Sequence, residues 1–90
     1  VSQTFPVKEL HHRAELYVQL GAFADHGNAE RLRAHLLLRQ LGKVSVSPTR
    51  VHGKTLYRVL IGPFTEVGQV DKLTTRLERL GYNDTDVVIE

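Results

Sequence analysis

The sequence predicts an α+β domain of β-α-β-β-α-β order. A four-stranded antiparallel sheet carries both helices on one face, the ferredoxin-like split βαβ arrangement. Three observations point to it. A strand–helix unit occurs twice, the hydrophobic period inside each unit passes from two to about 3.6, and a tight-turn dipeptide, His52-Gly53, separates two strand-like runs between the units. The repeat is visible by eye. Val18-Gln19-Leu20-Gly21-Ala22-Phe23 aligns with Val59-Leu60-Ile61-Gly62-Pro63-Phe64, both apolar and β-prone and both closing on Gly-x-Phe. Gly27 then matches Gly68, Leu32 matches Leu73, Leu36 matches Leu77, and Leu41-Gly42 matches Leu80-Gly81 after a small length difference. Two copies make a duplication rather than a solenoid, which needs three or more units to bury a core.

Each element has its own signal. In the first strand Leu16, Val18 and Leu20 alternate with Tyr17 and Gln19. A helix follows the Gly-x-Phe corner, with Asp25 as N-cap and Ala29, Leu32, Leu36 and Leu37 on one apolar stripe. The second strand is Lys43-Val44-Ser45-Val46-Ser47, with Val44 and Val46 inward. The third starts near Lys54, where Tyr57, Val59 and Ile61 alternate with Leu56, Arg58 and Leu60. The second helix takes Thr65 as N-cap and Val70, Leu73, Leu77 and Leu80 as its stripe. Gly42 and Gly81 are read as the C-terminal stops. Asp86-Val87-Val88-Ile89 closes the sheet. Phe23 and Phe64, at the strand-to-helix corners, are assigned to core packing rather than to stacking on a ligand. Residues 1–15 have no clean period and read as a linker or N-terminal arm, leaving 16–90 as the domain.

At 90 residues the chain holds one core and not two. It contains no Cys, which excludes disulfides and thiolate metal sites. No apolar run approaches the roughly 20 residues of a bilayer span, and no basic-then-apolar start marks a signal peptide or anchor. The chain reads as a piece of a longer protein, and this segment is expected to be a monomer that does not itself insert into a membrane. Net charge is only +2, but Arg31, Arg33, Arg39, Lys43, Arg50, Lys54 and Arg58 follow one another with no acid between them. On charge alone, an anionic partner and a solvated face are equal readings. The five His residues come with neither an HExxH motif nor clustered carboxylates. No Ser-His-Asp or paired-carboxylate arrangement can be defended either. Solvated surface His is the better reading, and no catalytic residue, metal or other cofactor is assigned.

Alternation decides which side chains face away from the helices: Tyr17 and Gln19, Ser45 and Ser47, Leu56, Arg58 and Leu60, and Val88 with Asp86. This set mixes aliphatic floor with amide, hydroxyl and guanidinium groups. Gln19 alone would pass for a solvated strand residue, and Arg58 for a surface charge paired with a neighbour such as Asp86. Together on one face, Gln19, Leu56 and Arg58 suit a sugar: hydroxyls need donors and acceptors, and ring faces need apolar contact. Arg58 adds a planar fork able to grip a carboxylate.

The runs Tyr17-Val18-Gln19-Leu20-Gly21-Ala22-Phe23 and Tyr57-Arg58-Val59-Leu60-Ile61-Gly62-Pro63-Phe64, with a helix near Asn28-Ala29 between them, resemble the SPOR family. Its pattern is an aromatic-x-Val-Gln-x-Gly-small-Phe strand, a helix, an Arg-Val-x-x-Gly-Pro-Phe strand and a second helix. The resemblance covers about residues 15–90 and rests on both motifs in order. It implies a ribonucleoprotein-like fold and non-catalytic binding of denuded peptidoglycan glycan strands, those without stem peptides. It also implies targeting of a larger cell-wall protein to the division septum in the bacterial periplasm. The preferred host type is a lytic transglycosylase such as rare lipoprotein A, with outer-membrane anchoring of the host. By position the resemblance assigns glycan contact to Gln19, Ala22, Leu56, Arg58 and Val88. Two of these depart from relatives: Ala22 lacks the hydroxyl of a Ser, and Leu56 replaces the ring of a Trp.

Two other classes compete. RNA-recognition modules share the fold but need exposed aromatics on the central strands, where this chain offers Tyr17, Leu60 and Arg58; no nucleic-acid partner is therefore expected. A protein-interaction domain would use the open sheet to pair with a partner chain.

Overall fold

Residues 14–90 are described by the computed structural model. The elements follow the expected order: β1 (Leu16–Phe23), α1 (His26–Leu38), β2 (Val44–Val51), β3 (Lys54–Phe64), α2 (Val67–Arg79) and β4 (Asp86–Ile89). The strands form one antiparallel sheet in the order β2-β3-β1-β4. The two repeats thus place their first strands, β1 and β3, side by side at the centre. Residues 1–13 of the expected arm, with His11 and His12, lie outside the described residues. None of the described helices is long and apolar enough to cross a membrane.

One core forms between the helices and one sheet face. Val18, Val44, Val59 and Ile61 from the strands meet Ala29 and Leu36 of α1, Leu41 beyond it, and Val70, Leu73 and Leu77 of α2. Burying each large aliphatic side chain contributes on the order of 1.5–3 kcal/mol. Phe23 and Phe64 pack against this cluster, as their corner positions require. Leu37 does not join the stripe: it is 44% exposed. The helix ends at Leu38, and the chain turns so that Leu41 fills the inner position instead.

The helix ends differ in detail from the expected ones. Asp25 caps α1, its carboxylate accepting from the Gly27 amide at 2.8 Å. α2 is capped one residue later than Thr65, at Glu66. There the Gln69 side chain accepts from the amides of both Thr65 and Glu66, a capping box that Thr65 could not build. Gly81 closes α2: the Tyr82 amide donates to the Leu77 carbonyl at 2.9 Å and the Gly81 amide to that of Glu78 at 3.0 Å. This pair of hydrogen bonds needs the left-handed φ of 97° that Gly81 adopts. Gly42 does not stop α1. Gln40 takes the left-handed turn at φ 54°, and Arg76 of α2 donates to the Arg39 carbonyl at the helix end.

β2 runs past Ser47 to Val51, through Pro48. At the sheet edge the missing proline N–H costs no ladder bond. His52 and Gly53 join β2 to β3 with φ values of 50° and 78°, the mirror-image turn whose twist matches the strands.

Two irregularities shape β1. Gln19 pairs with Leu60 but Gly21 pairs with Val59, so Leu20 is an extra residue. Leu16 pairs with Phe64 but Val18 with Ile61, which places the surplus on β3 around Gly62 and Pro63. A Cβ on Gly62, at φ 151°, would lie 2.9 Å from the Leu16 carbonyl oxygen and 2.9 Å from Cδ2 of Tyr17. Gly68, on exposed α2, has open space around it. Gly62→Ala is therefore expected to lower unfolding free energy in denaturant titrations by at least about 2 kcal/mol. Gly68→Ala should raise it by up to about 1 kcal/mol. Equal effects from the two would contradict this assignment.

Candidate functional site

The face of the sheet opposite the helices is set by strand register. Side chains paired across strands share a face. Gln19 stands opposite Leu60 on β3 and Asp86 on β4, Ala22 opposite Arg58, Arg58 also opposite Ser47, and Tyr17 opposite Val88. Strict alternation from Val18 would have turned Ala22 inward with Leu20. The bulge at Leu20 restores Ala22 to the outer face, where it is exposed. The structure thus brings Gln19, Ala22, Arg58 and Val88 onto neighbouring strands of one face. Leu56 sits farther out: its partner is Thr49 of β2, and β1 ends at Phe23, opposite Tyr57, before reaching its row. It forms a rim toward the hairpin rather than the centre.

The floor of this face is Leu60, only 2% exposed although it lies outside the helix-side core. Its cross-strand partners are Gln19 and Ser45. A buried leucine flanked by an amide and a hydroxyl is amphipathic ground, apolar beneath and hydrogen-bonding at the sides.

Arg58 dominates the electrostatics. Its Nη2 lies 2.8 Å from Oε2 of Glu90 and donates to the Ser47 hydroxyl at 3.4 Å. The expected partner, Asp86, is not the one used. Arg58 stands on β3 and Glu90 directly follows β4, with β1 between those strands, so the ion pair passes over the outer face of β1. The Arg58 side chain is 20% exposed and that of Glu90 42%. Nε of Arg58 is shielded from solvent and meets no hydrogen-bond partner among the described residues.

Tyr17 supplies the single aromatic ring of this face among the described residues, because Phe23, Tyr57, Phe64 and Tyr82 pack against the core. Tyr57 meets the His26 ring edge-on at 4.9 Å on the helix side. The Tyr17 phenol is held above its ordinary value, first by desolvation, then by the carboxylates of Glu15 and Glu90 and a hydrogen bond to Glu15. The basic block disperses. Arg33 donates to the Val44 carbonyl, Arg31 to Asn28 and Arg50 to the Gly53 carbonyl, while Arg58 donates to the Ser47 hydroxyl on this face.

Alternation already placed Tyr17 and Leu60 on this face without assigning them to the site, and Glu90 is a residue of the face that reading the sequence did not single out. The signal for Glu90 was present: Asp86, Val88 and Glu90 share one period of two. Its backbone continues the β1–β4 ladder, donating to and accepting from Glu15 at 2.9 and 3.0 Å.

Tyr17 should ionise above about pH 10. The fold favours its neutral form, so its contribution to stability holds below the unfolded value and fades as pH rises through the folded one. In a tyrosinate absorbance titration, Tyr17→Phe identifies the transition. Glu15→Gln combined with Glu90→Gln should move it down; an unmoved transition would contradict the placement of the two carboxylates.

The SPOR domain family matches residues 13–85. The crystal structure of the RlpA SPOR domain from Pseudomonas aeruginosa superposes with a TM-score of 0.73 at 29% identity, over 81% of this chain and 96% of that one. The solution structure of the peptidoglycan binding domain of the B. subtilis cell wall lytic enzyme CwlC superposes with a TM-score of 0.61 at 31% identity, over 84% of this chain and 90% of that one. No curated protein matches the chain. The family match covers most of its length, and the chain belongs to the SPOR family.

Proposed function

We propose that the outer face of the sheet binds peptidoglycan glycan strands from which stem peptides have been removed. The observation that carries this reading is the face itself: Gln19 and Arg58 directed outward over the buried Leu60, with neither helix covering them. The likeness to a peptidoglycan binding domain supports the same ligand class. Gln19 bonds sugar hydroxyls or acetamido groups, Leu60 and Val88 meet sugar faces, Ala22 gives close approach, and Leu56 guards the rim. Arg58 receives the lactyl carboxylate that becomes free when the stem peptide is cut away. An attached peptide removes that carboxylate and adds bulk, so intact glycan is rejected both by loss of charge and by collision.

The domain binds and does not catalyse. It acts outside the cytoplasm, as a monomer, and brings a larger cell-wall protein to the division septum where such strands gather. A lytic transglycosylase anchored to the outer membrane is the host type favoured by the likeness to the RlpA domain.

Pull-down on purified sacculi tests this. Amidase-treated sacculi should retain the chain and intact sacculi should not; equal retention contradicts the selectivity. Arg58→Ala should weaken retention about tenfold, while Arg39→Ala, at an exposed position, leaves it near wild type.

A further inference from the structure

We infer that Glu90 is a built-in competitor for Arg58, a carboxylate that the glycan must displace before it can bind. The inference rests on the glycan reading above and adds a control element to that site. Glu90 is held in place: two backbone hydrogen bonds to Glu15 fix its main chain, and its carboxylate reaches across β1 to Arg58 at 2.8 Å. A saccharide lying along the outer face of β1 meets this ion pair directly, because β1 separates the two strands that supply it.

The internal pair is also incomplete. It engages Nη2 of the guanidinium, while Nε has no partner among the described residues. An unmade hydrogen bond on a desolvated donor is costly. A carboxylate arriving side-on takes both Nε–H and Nη2–H, the bidentate geometry that favours Arg at such sites. Exchange of Glu90 for a ligand carboxylate thus gains a bond, whereas a neutral sugar offers Arg58 only uncharged acceptors, weaker than the charged pair it breaks. Glu90 thereby imposes the same displacement on every ligand, which a carboxylate recovers from Arg58 and a neutral sugar does not. Tyr17, close to Glu15 and Glu90, lies in the same cluster and would register the displacement.

The test uses the 90-residue chain with peptide-free glycan strands as probe, in native form and with their lactyl carboxylates reduced to alcohols. Glu90→Gln and Glu90→Ala should bind native strands about two- to fivefold more tightly than wild type, the range set by a partly exposed ion pair. They should also bind reduced strands more tightly and by a similar factor, because both ligands are relieved of the same displacement. Glu78→Gln, an acid removed from exposed α2, controls for net charge and should change neither. In the unaltered chain, the side-chain carboxyl resonance of Glu90 should shift when native strands are added. Glycan binding with Glu90 variants no tighter than wild type, or with an unmoved Glu90 carboxyl, overturns the competitor and leaves the glycan reading standing. Absence of binding by wild type and variants alike overturns both.

Discussion

Alternation along β1 is the constraint from which the rest follows. The strand is bonded on both sides, to β3 and β4, so every side chain it carries faces either the helices or the outside. Val18 faces in and anchors the core, while Tyr17 and Gln19 face out. The one break in the rhythm, the bulge at Leu20, lets Leu20 and Phe23 both pack inward and still turns Ala22 outward opposite Arg58. Without that extra residue, the small side chain beside Arg58 would be lost to the core face and the register of the face would change across β3.

Duplication supplied two similar units, and the structure uses them differently. Both carry Gly before a corner Phe, but only at Gly62 does the backbone come so close to its neighbours that a Cβ would collide with a main-chain oxygen and the Tyr17 ring. The first unit contributes the amide of Gln19, the second the guanidinium of Arg58. The face is therefore asymmetric, with its cationic end on the second unit and its acids, Glu15, Asp86 and Glu90, along the other side of β1.

Most of the fold was legible because local signals and global packing agree. The repeat, the period changes, the His52-Gly53 turn and the short last strand each point to one topology. What escaped reading has physical causes. Gln40 rather than Gly42 ends α1 because a non-glycine residue tolerates one left-handed step where the packing demands it. Glu66 displaced Thr65 as cap because Gln69 lies three residues on from it and closes the box. Of the candidate site, the facing of Gln19, Arg58 and Val88 was readable from period two. That of Ala22 was not, since a bulge leaves no signature in a run that is apolar throughout. The reach of Arg58 over β1 to Glu90, in place of Asp86, depends on the twist of the sheet and on two long side chains, neither of which a linear pattern encodes.

The Arg58–Glu90 pair places a carboxylate where a ligand is expected to bring one, above a buried leucine and beside an amide. A saccharide docked there must touch residues from β1, β3 and β4 at once. Backbone amide and side-chain resonances followed during titration with peptide-free glycan oligosaccharide test this most directly. Shifts should concentrate at Gln19, Ala22, Arg58, Leu60 and Val88, with α1 and α2 silent. Shifts confined to the helices, or none anywhere on the outer face at saturating oligosaccharide, would contradict it.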